Sequence, residues 1–205
     1  MSDNNLRSNY ILLIQNFIKK NLFFLSIFII LLILSFSGFQ LYKFYSNKQI
    51  LKSSIIFNEL KNSQLDFNKM SKLSNEKNFY GLLASFELIN NQINNKNYME
   101  AYDSYIKLLK NKNIDNLYIS LISIHSSYNL LDKIDSEKIH ELISYYDNDI
   151  SSFKGYHLEI LYLLSIIEED SATTSKLYKQ ISQDNKISNL IKERVRKIND
   201  FEKYK

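Results

Sequence analysis

The sequence predicts an all-α protein: one transmembrane helix near the N-terminus, then a domain of short helices paired into stacked hairpins. Three observations predict it. The twenty-two residues between Lys20 and Lys43 carry no charge. The 205-residue chain has no proline and only three glycines, Gly38, Gly81 and Gly155. Apolar stripes of helical period then recur at near-regular spacing. Proline and glycine interrupt helices and open tight turns. A chain almost without them, and rich in Leu, Ile, Lys and Glu, favours helix over strand.

The uncharged stretch reads NLFFLSIFIILLILSFSGFQLY. About twenty apolar residues, each rising roughly 1.5 Å, cross a hydrocarbon layer of ~30 Å. A secretory signal has a shorter apolar core and small residues at its cleavage site. Here Ser35, Ser37 and Gly38 are followed by bulky Phe39, Gln40 and Leu41. Leu22 to about Leu41 therefore reads as a retained anchor, with residues 22–42 as its outer bounds. Lys19 and Lys20 mark one membrane edge and Lys43 the other. Arg7, Lys19 and Lys20 precede the anchor, while Lys43, Lys48 and Lys52 follow it. These flanks nearly tie under the positive-inside rule. The Lys19–Lys20 pair at the membrane edge and the amino terminus tip the balance toward a short N-terminal segment, residues 1–21, on the inside. Within it, residues 10–18 (YILLIQNFI) fit either an interfacial helix or a frayed lead-in to the anchor.

About 160 residues follow the anchor, enough for one domain with a core. Net charge is +4. Residues 1–21 contribute +2 of it, so the remainder is close to balanced and carries no broad nucleic-acid footprint. Absence of cysteine excludes disulfides, thiolate metal sites and thiol catalysis.

Residues 43–78 divide in two. Ile50, Leu51, Ile55, Ile56 and Leu60 keep a helical period, so the anchor is expected to continue as a rigid helix. Residues 62–78 are polar and poorly periodic, which predicts a loop with one helical turn. The domain at 79–205 reads as a string of helices at 79–94, 98–110, 115–131, 135–147, 156–168, 171–183 and 188–203. Asp115, Asp135 and Ser188 are expected N-caps. The linkers are short and polar, as between antiparallel neighbours.

A repeat runs through this string. Ala101, Tyr105 and Leu108 sit at offsets 0, 4 and 7. So do Ile139, Ile143 and Tyr146, and so do Thr174, Tyr178 and Ile181. Each set forms one helical stripe, and the sets lie 38 and 35 residues apart. Three unrelated amphipathic helices would give the same stripes, but the spacing is near the ~34-residue period of tetratricopeptide units. Ala101 and Thr174 suit the small position of such a unit; Ile139 does not. The predicted fold class is thus an N-terminal transmembrane helix followed by a tetratricopeptide-like α-hairpin repeat domain.

The segment Tyr80-Gly81-Leu82-Leu83-Ala84-Ser85-Phe86-Glu87-Leu88, with Asn97-Tyr98-Met99-Glu100-Ala101 after it, resembles the tetratricopeptide-like domain of the bacterial YfgM-like family, the ancillary subunits of the Sec translocon. Tyr80, Leu83, Ala84, Leu88 and Ala101 fill the family's pattern without a gap. Phe17 followed by Lys19 and Lys20 before a single anchor is similar too. The resemblance implies a bacterial inner-membrane protein with a cytoplasmic N-terminus and a periplasmic domain. It also implies a place beside the Sec translocon, handing emerging chains to periplasmic chaperones. Ile89 and Tyr162 depart from the pattern, standing near positions where the repeat takes a small residue. Asn95-Lys96-Asn97 and Glu169-Asp170 replace the glycine turns between paired helices.

The sequence offers little chemistry. His125, His140 and His157 lack acidic neighbours at metal-ligand spacing, and no phosphate-binding glycine loop or nucleophilic serine motif is present. Glu168-Glu169-Asp170 reads as a solvated turn. No enzyme, cofactor, metal or small-molecule substrate is expected. The C-terminal helix carries Lys192, Arg194, Arg196, Lys197, Lys203 and Lys205, either a basic strip for a partner or lipid, or cations that keep a capping helix soluble. The expected function is protein–protein interaction from a membrane anchor. The alternative is a structural scaffold of an envelope or division complex.

Overall fold

The computed structural model describes residues 3–62, 66–202 and 204, with side chains from Lys19 onward except Leu25. Two compact units divide the chain, Met1–Glu59 and Leu60–Lys205. Helices α1 (Asp3–Asn62), α2 (Phe67–Ser74), α3 (Phe79–Asn94), α4 (Tyr98–Leu109), α5 (Asn116–Leu130), α6 (Ser136–Ser144), α7 (Lys154–Ile167), α8 (Ser171–Gln183) and α9 (Asn189–Glu202) follow in order, with a 3-10 turn at Ser151–Phe153 before α7. No strand occurs among the described residues.

In the first unit α1 runs helical throughout except at Asn21, where φ −113° and ψ 16° break it. From Lys19 to Asn62 it is long and apolar enough to cross a membrane, and none of its most apolar window is buried. Leu22 through Leu34 stand open wherever their side chains are described, as do the flanking Lys19, Lys20 and Lys43.

The second unit begins with a difference from expectation. Residues 63–65 of the expected loop lie outside the described residues, and 66–78 are not mainly loop: α2 occupies Phe67–Ser74 and buries Met70 and Leu73 against α3. Eight residues with two apolar contacts leave too short a period to detect in sequence. The signal that was available is Asp66, whose carboxylate accepts from Asn68 N and Lys69 N, both at 3.1 Å. Gly81 lets this turn close, because a Cβ there would lie 2.1 Å from the Glu76 carbonyl oxygen.

The other helices lie close to their predicted bounds. Asn78 caps α3, accepting from Tyr80 N and Gly81 N. Asp115 caps α5 through Leu117 N, and Asp170 caps α8 through Thr173 N. Ser188 accepts from Leu190 N at 3.2 Å at the start of α9. Asp135 precedes α6 but makes no side-chain cap bond; it pairs with Lys138 at 3.2 Å instead.

Lys96 and Glu169 end α3 and α7 in the left-handed region, at φ 61° and 55°. Around Lys96 the amides of residues 96 and 97 bond back to Ile93 O and Gln92 O. Around Glu169 those of residues 169 and 170 bond back to Ile166 O and Ser165 O. Both turns are Schellman closures, which ordinarily take glycine. A side chain in this region costs roughly 1–2 kcal/mol, part of which glycine loses again through its freer unfolded chain. Lys96→Gly is therefore expected to raise the stability of a fragment starting at Ser46 by about 0.5–1 kcal/mol in urea melts.

Each helix from α2 to α8 packs on its successor, and contacts also join α4 to α6, α5 to α7 and α7 to α9. Two clusters fill the interior. The larger spans α3 to α7 around Tyr105, Ile122, Leu130, Ile139 and Leu142. The smaller joins α7, α8 and α9 around Tyr162, Leu177, Ile181, Ile191 and Val195. Helix α7 serves both: Ile160 and Leu164 face the larger cluster, while Leu158 and Tyr162, two residues earlier in each case, face the smaller. A helix apolar on opposite sides is one buried on both.

Ala84 and Ala101 are fully buried on the packed pair α3 and α4. Ala101→Leu is expected to overpack this contact and cost about 1–3 kcal/mol.

Candidate protein-binding face

One face of the second unit is built from α3, α5, α7 and α9. Cross-helix contacts define it. Phe79 on α3 meets Tyr118 on α5 at 6.5 Å between ring centroids. Phe86 meets His125 edge-on at 5.3 Å. Tyr128 on α5 donates to Glu159 Oε2 on α7 at 2.6 Å. Arg194 on α9 grips the same carboxylate with Nε at 2.8 Å and Nη2 at 2.5 Å. Exposed Phe79, Leu117, Tyr118, Leu121 and Tyr156 line this face. At its α2 end is a cleft of about 360 Å³ between the α2–α3 turn and the α4–α5 loop, floored by Phe79, Leu82, Leu108 and Tyr118.

The face is held from beneath by polar contacts. Tyr105 reaches from α4 to lie 3.1 Å from His125 Nδ1, and Asn129 Nδ2 donates to the Tyr105 oxygen at 3.1 Å. Asn129 Nδ2 also lies 3.2 Å from His125 Nδ1, so amide, phenol and imidazole form one cluster in which only a neutral imidazole can accept. Partial desolvation acts the same way, lowering the His125 pKa although the ring keeps an edge open to solvent, while the fully enclosed Tyr105 is pushed up to about 12. Burial also lowers His157, which stacks on Tyr146 with ring centroids 4.3 Å apart.

A histidine with a depressed folded pKa is neutral in the folded chain when the unfolded chain already takes a proton. Stability from His125 and His157 is thus present above their ordinary value of 6.5 and is lost as pH falls through that value toward the lower folded one. The urea midpoint is expected to fall between pH 7.5 and 5.5, and to fall less in the H125Q/H157Q variant.

The repeat residues take different depths. Ala84, Ala101, Tyr105 and Ile181 are buried, whereas Tyr80, Leu83, Leu88, Leu108, Thr174 and Tyr178 are half-buried. Thr174 Oγ1 lies 2.9 Å from Ser165 Oγ, so small polar residues meet where α7 packs on α8. Ile89 and Tyr162, at positions where the repeat takes small residues, are fully enclosed, and the Tyr162 hydroxyl makes no hydrogen bond among the described residues.

Several contributors escape a reading by apolar stripes. Ser120, Ser123, Ser126 and Ser127 are buried in α5. Ser123 donates to Leu142 O at 2.7 Å, and Ser120 accepts from Asp147 N at 3.0 Å, tying α5 to α6 and the turn after it. Four serines in eight residues was the available signal for close helix approach. Another was Phe-x-Gly at Phe79–Gly81 and again at Phe153–Gly155, 74 residues on. At Gly155 a Cβ would lie 2.8 Å from Ile191, so α9 closes directly on α7. Of the C-terminal basic strip, Lys203 and Lys205 lie outside the described residues, and three of the other four cations are paired within the unit. Arg194 turns inward to Glu159, Arg196 pairs with Asp200 at 3.6 Å and Lys197 with Glu193 at 3.0 Å.

No group of His, Asp or Glu suited to a metal occurs among the described residues. His140 pairs with Glu168 at 2.8 Å, bridging α6 to the end of α7. Comparison of the chain with protein-family models, with curated proteins and with solved structures gives no match in any of the three.

Proposed function

We propose that this chain is a membrane-anchored protein–protein interaction module. The observation that carries the proposal is the α3–α5–α7–α9 face. It presents Phe79, Leu117, Tyr118, Leu121 and Tyr156 to solvent from helices that neighbouring contacts hold in place. Exposed aromatic and aliphatic side chains on rigid elements supply contact area at low entropic cost. In the proposed arrangement these helices are the inner helices of tetratricopeptide-like pairs, and α4, α6 and α8 are the outer ones.

Helix α1 is the proposed anchor. A tether to the membrane raises the effective concentration of the face toward membrane partners. The resemblance at Tyr80, Leu83, Ala84, Leu88 and Ala101 supports a place in a bacterial inner membrane with the domain in the periplasm. There the face would receive secretory chains at the Sec translocon and pass them to chaperones.

A photocrosslinker placed at Tyr118 or Leu121 in cells tests the reading, with Lys107 on α4 as the background site. Translocon components and transient secretory chains are the expected products. A single stable complex would favour the envelope scaffold instead. Products no different from those at Lys107 would overturn the binding face. A reporter fused after Lys205 is expected to be active in the periplasm, and cytoplasmic activity would overturn the localisation.

A further inference from the structure

We infer that residues 3–20 form an in-plane membrane helix that lies on an anionic lipid surface, jointed to the anchor at Asn21. The inference rests on the anchor reading above. Its first ground is length. Tyr10 to Leu41 is an apolar run interrupted chiefly by Lys19 and Lys20. As one straight helix it would extend roughly 48 Å, well past a hydrocarbon layer of ~30 Å. The twenty residues from Leu22 to Leu41 fill that layer alone. The nine residues before Lys19 must then stand in water or turn into the interface.

The second ground is the joint. At Asn21, φ −113° and ψ 16° leave the helical region directly after Lys20 and directly before the apolar run. The chain has no proline, and asparagine is a residue whose side chain competes with helical backbone bonding. Helix on both sides of one non-helical residue allows two axis directions.

The third ground is register. At 100° per residue, positions 6, 10, 13, 14 and 17 (Leu, Tyr, Leu, Ile, Phe) fall on one side of the helix. Positions 8, 15, 16 and 19 (Ser, Gln, Asn, Lys) fall on the other, with Leu12 the one apolar residue among them. This division matches a helix lying in the headgroup boundary, not one crossing it. Arg7, Lys19 and Lys20 against Asp3 give the segment a net positive charge, which is what selects anionic lipid.

The chain has no cysteine, so single-cysteine variants of the full-length protein carry one fluorophore each. Labels at Tyr10→Cys, Phe17→Cys, Ser8→Cys, Gln15→Cys and Ile30→Cys are read in vesicles of equal phosphatidylglycerol and phosphatidylcholine containing lipids with quenchers at known depth. Shallow quenchers are expected to act at least twofold more strongly at positions 10 and 17 than at 8 and 15, and deep quenchers at position 30. In phosphatidylcholine alone, quenching at positions 10 and 17 is expected to fall at least twofold; no change would overturn the anionic-lipid assignment. Quenching that deepens steadily from position 8 to 17 would overturn the in-plane helix. Weak quenching at all four N-terminal sites, with position 30 deep, would overturn this inference alone. Weak quenching at position 30 would overturn the anchor with it.

Discussion

Tyr105→Ala is expected to destabilise the helical domain by about 3–5 kcal/mol, the range for removing a large enclosed aromatic ring. Tyr105 has 0% of its surface exposed. It is the largest side chain of the main cluster to be fully enclosed, and it packs edge-on against Phe86 at 6.4 Å. Truncation also strips the hydroxyl from between His125 and Asn129. Lys107→Ala, exposed on the same helix, should lie within about 0.5 kcal/mol of wild type. Urea melts of a fragment starting at Ser46 measure both. Equal midpoints for the two variants would mean that the stripe of Ala101 and Tyr105 is not a core stripe.

Arg194→Ala is expected to cost about 3 kcal/mol, at the lower end of the range for stripping one partner from a buried ion pair. Glu159 is 2% exposed and lies between α5 and α9. Without the guanidinium its carboxylate loses two charge-assisted bonds and keeps the Tyr128 hydroxyl. The lower end applies because the Arg194 side chain is itself 42% exposed. The double variant Glu159→Gln with Arg194→Met removes both charges. It should recover much of the loss, because an apolar or neutral pair of similar volume is often as stable as the ionic one. Failure of the double variant to recover would place the cost in packing of the Arg194 side chain, not in charge. The α9 amides, followed by hydrogen exchange, should lose protection in Arg194→Ala before those of α4 and α5 do.

The two variants probe parts of the molecule that were unequally visible from sequence. Tyr105 announced itself through period: an aromatic at offset 4 in a stripe of helical repeat has few places to go except inward. The helix bounds were visible for a similar local reason. Capping residues such as Asp115 and Ser188, and polar linkers such as Asn95-Lys96-Asn97, act within a few residues of chain. The uncharged run from Asn21 to Tyr42 was equally local, since length and hydropathy alone decide what a helix can cross.

In the sequence Arg194 is only one member of a basic strip, and its inward turn onto Glu159 is a contact across thirty-five residues. No periodicity encodes which of several cations on a helix meets a buried carboxylate. The same limit hid the serines of α5. Serine reads as polar in any pattern, yet in the folded chain its small volume lets α6 approach, and its hydroxyl bonds to Leu142 O. Helix α2 was hidden for want of length, because Met70 and Leu73 become core only when Gly81 admits the Glu76 carbonyl and the turn closes. The sequence by itself thus determined the α-helical class, the positions of the helices after Asn78 and the single apolar helix near the N-terminus, because local period, capping and hydropathy decide those. The tertiary structure alone decided which faces of α5 and α7 are enclosed, which charges are internal and which aromatic side chains remain on the α3–α5–α7–α9 face. Those depend on what each helix packs against, and packing partners lie tens of residues away along the chain.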